Sequence, residues 1–420
     1  MQHTPSTSES TDALVIGAGP AGSAAAVALR ARGYRVICLE RGNFPRQIVG
    51  ESLLPRTCDL LAELGLLEAV ERRGYMVKKA AYFLRGTERE RFSFADGLPG
   101  DRPTTFQVPR DDFDQTLATE ARRQGVDLRF GHEVLQVEPT DTEVTAVVKD
   151  LWRNETHEIR ARWLLDCSGY GRVLARLLVL DEPSGLQGRV ACFTHFEGDL
   201  RPETDVEGDI WVCCHPQQGW LWLIPFSNGR TSVGMVCDPG HWDSLEGEPL
   251  ARLLSQLASD PNASARLKHA VPVLPPQLLR DYSTKNTRLH GQRWVVAGNA
   301  GDFLDPVFSS GVTLALESAT LAAGLVHRVL EGEAINWDAE YSAPMHQAVG
   351  VFRGMVEGWY NGQLPDIFFN EQKLPRIKQR FTSLLGGYVR RDDNPLTRDC
   401  GQSIAALHAA ISGQLGDRLS

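Results

Sequence analysis

A glycine turn between two predicted regular elements constrains the fold of this chain more than any other feature. The turn carries Gly17, Gly19 and Gly22. The apolar run 12–16 before it predicts a buried strand, and the alanine-rich run 23–32 after it predicts a helix. Such glycines permit a tight turn, close phosphate contact and close packing of helix on strand, so the amides that open the helix can approach a pyrophosphate. The segment therefore predicts a dinucleotide-binding βαβ unit.

An acidic residue supports the same prediction. A second β-type run, 35–39, ends at Glu40, where a carboxylate can accept hydrogen bonds from ribose hydroxyls. Glycines at this spacing also occur where a helix and a strand simply pack closely. That alternative is weaker here, because the strand, the helix and the acid all lie where nucleotide binding requires them.

The composition argues against several classes of function. Of 420 residues, 42% are hydrophobic and 23% are charged, and the formal net charge is −9, so we expect no nucleic-acid surface. No stretch offers roughly 20 uninterrupted apolar residues, and the polar first residues lack the apolar run of a secretory signal. We therefore expect a cytoplasmic protein without a membrane partner.

The cysteines indicate neither a metal site nor a disulfide framework. The chain has 8 cysteines, with no CxxC pair and no histidine partner at zinc-finger spacing. The adjacent Cys213 and Cys214 permit a redox-active pair, but the stronger interpretation is two small strand residues that point to opposite faces. We expect reduced thiols, as in the cytosol, and no bound metal.

Two later segments repeat the pattern of a buried strand followed by an acid or amide and a glycine turn. The first contains Asp166 and Gly169, and the second contains Asn299 and Asp302. Both resemble the later fingerprints of the large FAD-binding family that includes aromatic hydroxylases and geranylgeranyl reductases. The helix start at Arg110 is similar to that family's Arg-x-x-Phe-Asp motif, whose arginine lies along the cofactor. The resemblance implies FAD rather than a nicotinamide cofactor.

Three further segments narrow the resemblance. Residues 44–55, 220–225 and 303–311 are similar to the segment after the first βαβ unit, the Trp-x-Trp-x-Ile-Pro signature and the halide-side loop of flavin-dependent halogenases, particularly the pyrrole and phenol type. This resemblance implies reduced FAD, O₂ and either chloride or bromide. The FAD-binding residues that it implies are Gly17, Gly19, Pro20, Ala21, Gly22, Glu40, Arg41, Gly50, Glu51, Ser52, Arg110, Asp166, Gly169, Asn299, Asp302, Pro306, Gly311 and Val312.

The tryptophan signature admits two interpretations. In the first, Trp220, Trp222 and Pro225 form a wall that isolates the flavin and denies space to NADPH. In the second, they are ordinary large residues of a core strand. A spacing of two residues places both indoles on one face of a strand, and we favour the wall. The enzyme would then depend on reduced FAD from solution or from a separate flavin reductase.

The loop before a long predicted helix carries the halide site that the resemblance implies. Its residues are Ser309, Ser310 and Gly311, whose backbone amides precede the helix and can bind an anion. In a hydroxylase the same amides would hold the flavin pyrimidine oxygen instead. The motif therefore supports flavin more strongly than it supports halide.

A lysine pair is the candidate for the catalytic group. In the halogenases, hypohalous acid formed by attack of halide on a flavin hydroperoxide passes to a lysine, and the motif spacing matches Lys78, with Lys79 as the second choice. On an alternating strand the two side chains point to opposite sides, so only one can face a cleft. The alternative is two hydrated lysines at a strand start.

We expect an electron-rich aromatic substrate that is large or bound to a carrier protein or peptide, because little chain remains after the halide-side loop to cover the site. The alternatives are a monooxygenase that hydroxylates an aromatic ring, including a peptide-bound tryptophan during quinone-cofactor maturation, and a flavin reductase similar to geranylgeranyl reductases. A non-enzymatic flavin carrier is a further class, and it would consume no oxygen.

The predicted fold class is α/β. A discontinuous Rossmann-like FAD-binding domain, residues 12–75, 105–180 and 285–330, is interleaved with an antiparallel-sheet substrate domain. That second domain comprises residues 76–104 and 181–284, where aromatic and β-branched runs alternate with turns. Residues 331–420 are expected to form a helical region.

Overall fold

The protein is described by a computed structural model, which covers residues 8–46, 48–202, 206–215 and 219–419. The strands are β1 Ser8–Ile16, β2 Val36–Glu40, β3 Met76–Lys78, β4 Ala80–Arg85, β5 Glu88–Ser93, β6 Thr105–Gln107, β7 Asp127–Phe130, β8 His132–Pro139, β9 Val144–Asp150, β10 Glu155–Asp166, β11 Asp181–Glu182, β12 Val190–Glu197, β13 Ile210–His215, β14 Gly219–Pro225, β15 Arg230–Cys237, β16 Val271–Pro272, β17 Gln277–Arg280, β18 Lys285–Asn286, β19 His290–Gly291 and β20 Trp294–Val296.

The helices are α1 Pro20–Arg30, α2 Pro55–Glu63, α3 Leu67–Glu71, α4 Arg110–Arg123, α5 Val173–Leu177, α6 Pro239–Ser244, α7 Pro249–Ser259, α8 Pro261–Arg266, α9 Ser310–Leu330, α10 Ala343–Tyr360, α11 Gln363–Phe369, α12 Pro375–Leu385 and α13 Cys400–Leu419. Among the described residues, no helix is both long enough and apolar enough to cross a membrane.

The first sheet has a parallel core in the order β20, β10, β1, β2, β7. Residues 13–16 of β1 and the whole of β2 are buried, as expected for strands covered on both faces. Helices α1 and α9 pack together on one face of this sheet. Since the strands are parallel, the carboxyl ends of β1, β2, β10 and β20 meet at one edge, where a doubly wound sheet places its ligand.

The second sheet has the order β16, β12, β15, β14, β13, β4, β5, and β17 also pairs with β12. Its ladders are antiparallel except for the parallel pair β13 and β4. Every residue of β14 is buried, so this strand lies at the centre of the sheet with both faces covered. The predicted α/β class with an antiparallel second sheet is confirmed.

The chain after α9 is helical, as the sequence predicts. Helices α10, α11 and α13 pack against one another, and α10 brings aromatic side chains onto the second sheet. Trp359 contacts the rings of Phe83 and Phe308 at centroid distances of 5.6 and 5.9 Å. Phe368 lies 4.9 Å from Phe83. This aromatic cluster fixes the C-terminal helices over the loop that opens α9.

Candidate active site

One cleft, with a volume of about 560 Å³, lies between the carboxyl edge of the first sheet and the face of β14. It brings together segments from all three strand ends that the sequence singled out. Eighteen predicted site residues line it, namely Gly17, Gly19, Pro20, Ala21, Glu40, Arg41, Gly50, Glu51, Ser52, Arg110, Gly169, Trp220, Trp222, Asn299, Pro306, Ser309, Gly311 and Val312.

The glycine turn is built for close approach of another group. Gly17 has a φ of +93°, and its N–H donates to Leu39 O at 2.7 Å. A Cβ on Gly22 would lie 1.7 Å from Gly17 O, so Gly22 permits helix and turn to pack and does not itself line the cleft. Among the described residues, a Cβ on Gly19 would have only the side chains of Arg46 and Asp114 within 4 Å. The turn therefore presents an open amide edge to the cleft.

Glu40 is fixed at the end of β2 by its surroundings. Its Oε2 accepts from Ala18 N at 2.9 Å, and its Oε1 accepts from Gly42 N at 3.0 Å. The guanidinium of Arg46 lies 3.3 Å from the same Oε1, and its buried Nε has no hydrogen-bond partner among the described residues. The site thus holds a positioned carboxylate for ribose beside a cation for phosphate.

Arg110 holds the segment before α2 in place. Its guanidinium makes a bidentate pair with Asp114 at 2.8 and 3.1 Å. Its remaining N–H group donates to the carbonyls of Val49 and Gly50 at 3.0 and 3.3 Å. A Cβ on Gly50, whose φ is +105°, would lie 2.9 Å from this guanidinium. These contacts fix the two residues that follow, Glu51 and Ser52, in the cleft wall.

The tryptophan pair forms one wall of the cleft. The two rings lie 5.3 Å apart, centroid to centroid. Trp220 Nε1 donates to Tyr360 Oη at 3.1 Å, and Trp222 Nε1 donates to Ser232 Oγ at 3.1 Å. Because side chains alternate along a strand, the third wall residue is Ile224. The expectation for Pro225 is therefore corrected, since this residue does not line the cleft.

The serine loop meets the cleft at the start of α9. Ser309 has a φ of +57° and precedes the first helical residue. Ser309 and Gly311 line the cleft, whereas Ser310 is buried in the first turn and does not, which corrects its expected place. The helix N-terminus offers free amides and a positive dipole end to an anion in the cleft.

The loop that precedes Ser309 is anchored by Asp305. Its Oδ1 accepts from Val307 N at 3.0 Å, and its Oδ2 accepts from the hydroxyls of Tyr282 and Tyr360 at 3.0 and 2.9 Å. Burial raises the pKa of this carboxyl group, although the three donors oppose the shift. Through Tyr360, the same network reaches Trp220, so the loop and the tryptophan wall are tied together.

Lys78 lies behind the cleft wall and not on it. Its side chain is 1% exposed, and its Nζ donates to Ser52 Oγ at 2.8 Å and to Leu53 O at 2.9 Å. Burial lowers the pKa of the amine to about 7, and the nearby carboxylate of Asp209 opposes the shift. Lys79 is half-buried on the other side of the strand end and does not line the cleft. Neither lysine lines the cleft, but Ser52, which accepts a hydrogen bond from Lys78, does.

Two acids that were expected near the cofactor accept hydrogen bonds from backbone N–H groups. Asp166 is fully buried and accepts from Ser168 N at 2.9 Å and Leu174 N at 2.6 Å. Asp302 accepts from Asn286 N at 3.2 Å and lines a separate small cavity below the turn. Both carboxylates hold loops whose other residues line the cleft, and neither carboxylate itself lines it.

The structure adds cleft residues to which the sequence gave no role. Arg46 belongs to a segment that resembled the halogenases, but nothing in its spacing indicated a contact with Glu40. Tyr170 lines the cleft after β10, with its ring 5.4 Å from Phe303. Ile210 and Arg176 also line the cleft. No sequence signal identifies these positions, because they depend on how distant segments pack.

The residues present fit FAD. The cleft offers an open glycine turn at a helix N-terminus, a fixed carboxylate at the end of the next strand, a guanidinium with an unused donor and an apolar aromatic wall at its other end. These are the groups that pyrophosphate, ribose and an isoalloxazine ring require.

Comparison with known proteins gives the same result. A family model described as "FAD binding domain" matches residues 10–347. The chain is 34% identical to the tryptophan 2-halogenase of Chondromyces crocatus over 77% of this chain, and it spans 62% of that protein, less than two thirds. It is 27% identical to the 1H-pyrrole-2-carbonyl-[peptidyl-carrier protein] brominase of Pseudoalteromonas luteoviolacea over 90% of this chain and 92% of that protein.

A solved structure covers nearly the whole chain. A flavoprotein/dehydrogenase from Cytophaga hutchinsonii is 40% identical, with a TM-score of 0.93, and the match covers 97% of this chain and all of that one. The fold, the cleft and the relatives therefore agree on the same cofactor.

Proposed function

This chain belongs to the FAD binding domain family, and we propose that it is a halogenase-type oxidoreductase that uses reduced FAD and O₂ to modify an electron-rich aromatic substrate. The observation that carries the proposal is the joint lining of one cleft by the glycine turn, the tryptophan pair and the serine loop. Relatives named as halogenases and a brominase support the halogenase type.

We assign the ends of the cofactor to the two ends of the cleft. The amides from Gly17 to Ala21 and the guanidinium of Arg46 would hold the pyrophosphate, and Glu40 would accept from the ribose. Trp220 and Trp222 would lie beside the isoalloxazine ring. When bound, reduced FAD would supply the electrons that activate O₂ for oxidation of a halide.

The serine loop would hold the halide. The amides at the start of α9 are the donors there, and the left-handed backbone at Ser309 aims them into the cleft. The rigid anchoring of the loop through Asp305 would keep these donors in place without further ordering. Chloride and bromide both suit such a site, because backbone N–H groups can donate hydrogen bonds to either anion.

Lys78 would receive the hypohalous acid. A neutral amine has two N–H groups and a lone pair, and the two donors are already used by Ser52 Oγ and Leu53 O. The lone pair is then available to bind hypohalous acid. Because burial brings the pKa of this amine to about 7, much of it is neutral near pH 7. A shift of the Ser52 side chain would connect it to the cleft.

We propose an aromatic substrate bound to a carrier protein or peptide, with a separate flavin reductase as partner. The name of the Pseudoalteromonas relative includes a peptidyl-carrier protein, and the tryptophan wall leaves no evident room for a nicotinamide beside the flavin. We place the reaction in the cytoplasm, consistent with eight free cysteines.

Hydroxylation of the aromatic ring, including a peptide-bound tryptophan, is the second candidate function. The observation that favours it is the burial of Lys78 behind Ser52, since direct transfer of oxygen to a substrate needs no lysine. In that case the serine loop would only hold the flavin.

Mass spectrometry separates the two functions. The protein would be supplied with reduced FAD, O₂ and bromide, together with pyrrole, phenol and indole probes, both free and as carrier-protein thioesters. A product with the bromine isotope doublet supports halogenation. Addition of oxygen that persists when bromide is omitted would establish hydroxylation and remove the halogenase assignment.

A further inference from the structure

One oxygen of the Glu51 carboxylate has no hydrogen-bond partner among the described residues. Glu51 is 4% exposed and lines the cleft. Its Oε1 is 2.8 Å from His195 Nε2, whereas its Oε2 is buried and unpartnered. Leaving a buried carboxylate oxygen unsatisfied is costly. Its partner must therefore be a proton, a water molecule or a group bound in the cleft.

His195 connects Glu51 to a second, smaller space. It lies on β12, two residues after Phe193, whose ring packs 5.8 Å from Trp222. The imidazole contacts the ring of Phe226 edge-on at 5.2 Å. A cavity of about 20 Å³, the size of one water molecule, is lined by both Glu51 and His195. Glu51 thus lies in the wall between this cavity and the cleft.

Two further charged side chains line the small cavity among the described residues, and both are bound to other groups. The charged side chains that share the small cavity with Glu51 and His195 are Arg110 and Asp111 of α4. Arg110 is committed to Asp114 and to two carbonyls, and Asp111 accepts from the backbone N–H of Asp112. Among the described residues, Glu51 has one hydrogen-bonding side-chain partner, His195.

We propose that Glu51 and His195 form a proton relay that serves the cleft, an inference that rests on the proposed function. Reduction of O₂ by reduced FAD takes up protons. Glu51, protonated at Oε2, gives that proton to the reduced oxygen, and its Oε1 takes a proton from His195 Nε2 while His195 Nδ1 takes one from a water molecule in the small cavity. That water regains its proton from bulk solvent, so the net result is that one proton passes from solvent to the reduced oxygen. Rotation of the Glu51 carboxyl group and exchange of the His195 tautomer through the same water restore the starting arrangement, and the electrons come from reduced FAD.

Two matched substitutions test the relay. Glu51→Gln and His195→Gln each keep the size and polarity of the side chain but cannot pass a proton. Each should bind FAD within about threefold of the wild type, measured by quenching of flavin fluorescence. Each should oxidise bound reduced FAD about 100-fold more slowly in oxygen-jump stopped flow. The double variant should be no slower than Glu51→Gln alone, because both residues act on one path.

An independent readout addresses the pair without turnover. The long-range ¹H–¹⁵N spectrum of His195 should change its tautomer pattern in Glu51→Leu, because that variant lacks the oxygen that accepts the Nε2 proton. His241→Gln, which alters a histidine bonded to Gln256 away from the cleft, is the control and should match the wild type throughout.

Either of two results would overturn the relay. One is a large loss of FAD affinity in Glu51→Gln with an unchanged oxidation rate, which would make Glu51 a cofactor anchor. The other is wild-type oxidation in His195→Gln. If instead the wild-type protein neither binds FAD nor consumes oxygen, the proposed function itself fails, so the two failures are distinguishable.

Discussion

At the scale of single residues, the amine of Lys78 shows how burial prepares a side chain for chemistry. Its charged form loses hydration inside the protein, and this burial lowers its pKa to about 7, although the carboxylate of Asp209 opposes the shift. Ser52 Oγ and Leu53 O accept two hydrogen bonds from the amine and fix its orientation. A surface lysine would remain protonated at the same pH.

Halogenation should depend on pH through this amine. Below about pH 7 the amine is protonated and has no lone pair, and above that pH the neutral amine predominates. Brominated product per flavin oxidised should therefore rise as the pH passes from 6 to 8.5. Mass spectrometry paired with flavin absorbance measures this ratio. A flat ratio across the range would show that the lone pair of Lys78 takes no part.

Replacing the amine should separate halogenation from flavin oxidation. Lys78→Met keeps an unbranched side chain of similar length without the amine, and we expect at least a 100-fold loss of brominated product with flavin oxidation unchanged. Lys79→Met, at the half-buried neighbour, is the matched control and should retain both activities. Equal product from the Lys78 variant and the wild type would remove this residue from the mechanism.

At the scale of elements, the tryptophan wall depends on a glycine in the neighbouring strand. Gly234 on β15 lies opposite Trp222, and a Cβ there would come within 2.4 Å of the indole ring and 2.6 Å of Phe193 Cβ. Because Gly234 has no side chain, the indole of Trp222 can pack against β15 and still line the cleft.

Gly234→Ala should accordingly destabilise the protein. Overpacking at such a site costs about 1–3 kcal/mol of unfolding free energy, and the displaced indole should also weaken FAD binding. Chemical denaturation measures the loss of stability, and flavin fluorescence measures the loss of FAD affinity.

Gly324→Ala is the matched control. This glycine lies in α9, and a Cβ there would have no atom of another described element within 4 Å. Alanine at this position should therefore raise the free energy of unfolding by up to about 1 kcal/mol. Similar unfolding curves for the two variants would contradict the packing argument.

Sequence patterns predict those features of the site that depend on residues close together in the chain. The glycine spacing identifies the turn, and alternation along β14 places both tryptophans on one face. The same alternation, applied one residue further, would have excluded Pro225 and selected Ile224. Contacts between residues far apart in the chain cannot be predicted in this way. The burial of Lys78 depends on Ser52, and the pairing of Glu51 with His195 joins residues 144 positions apart, so no local pattern predicts either.

At the scale of the whole molecule, the cofactor cleft lies between the two sheets, and the loop that opens α9 closes one side of it. The sequence indicated this class of fold, because segments typical of a βαβ unit alternate along the chain with runs of aromatic and β-branched residues typical of an antiparallel sheet. The roles of Asp166 and Asp302 could not be assigned from sequence, because a strand-end acid can face either a ligand or its own backbone turn. Here Asp166 accepts from the backbone of its own turn, and Asp302 accepts from the backbone N–H of Asn286 in the distant strand β18.

The assembled cleft predicts how electrons enter. NADPH should not reduce FAD on this protein if, as proposed, Trp220 and Trp222 lie beside the flavin and fill the space that a nicotinamide would need. An oxygen electrode should show no consumption with FAD and NADPH alone, and consumption should begin when a flavin reductase or photoreduced FAD is added. Steady oxygen consumption with FAD and NADPH alone would contradict the proposal that the tryptophan pair excludes a nicotinamide.

The central claim is that the ends of β1, β10 and β20 meet at one FAD-binding cleft. Titration of the protein with FAD tests this claim most directly. The account predicts saturable one-to-one binding in which flavin fluorescence and tryptophan fluorescence are quenched together, since Trp220 and Trp222 line the same cleft as the glycine turn. Flavin that remains fully fluorescent at every protein concentration would contradict it.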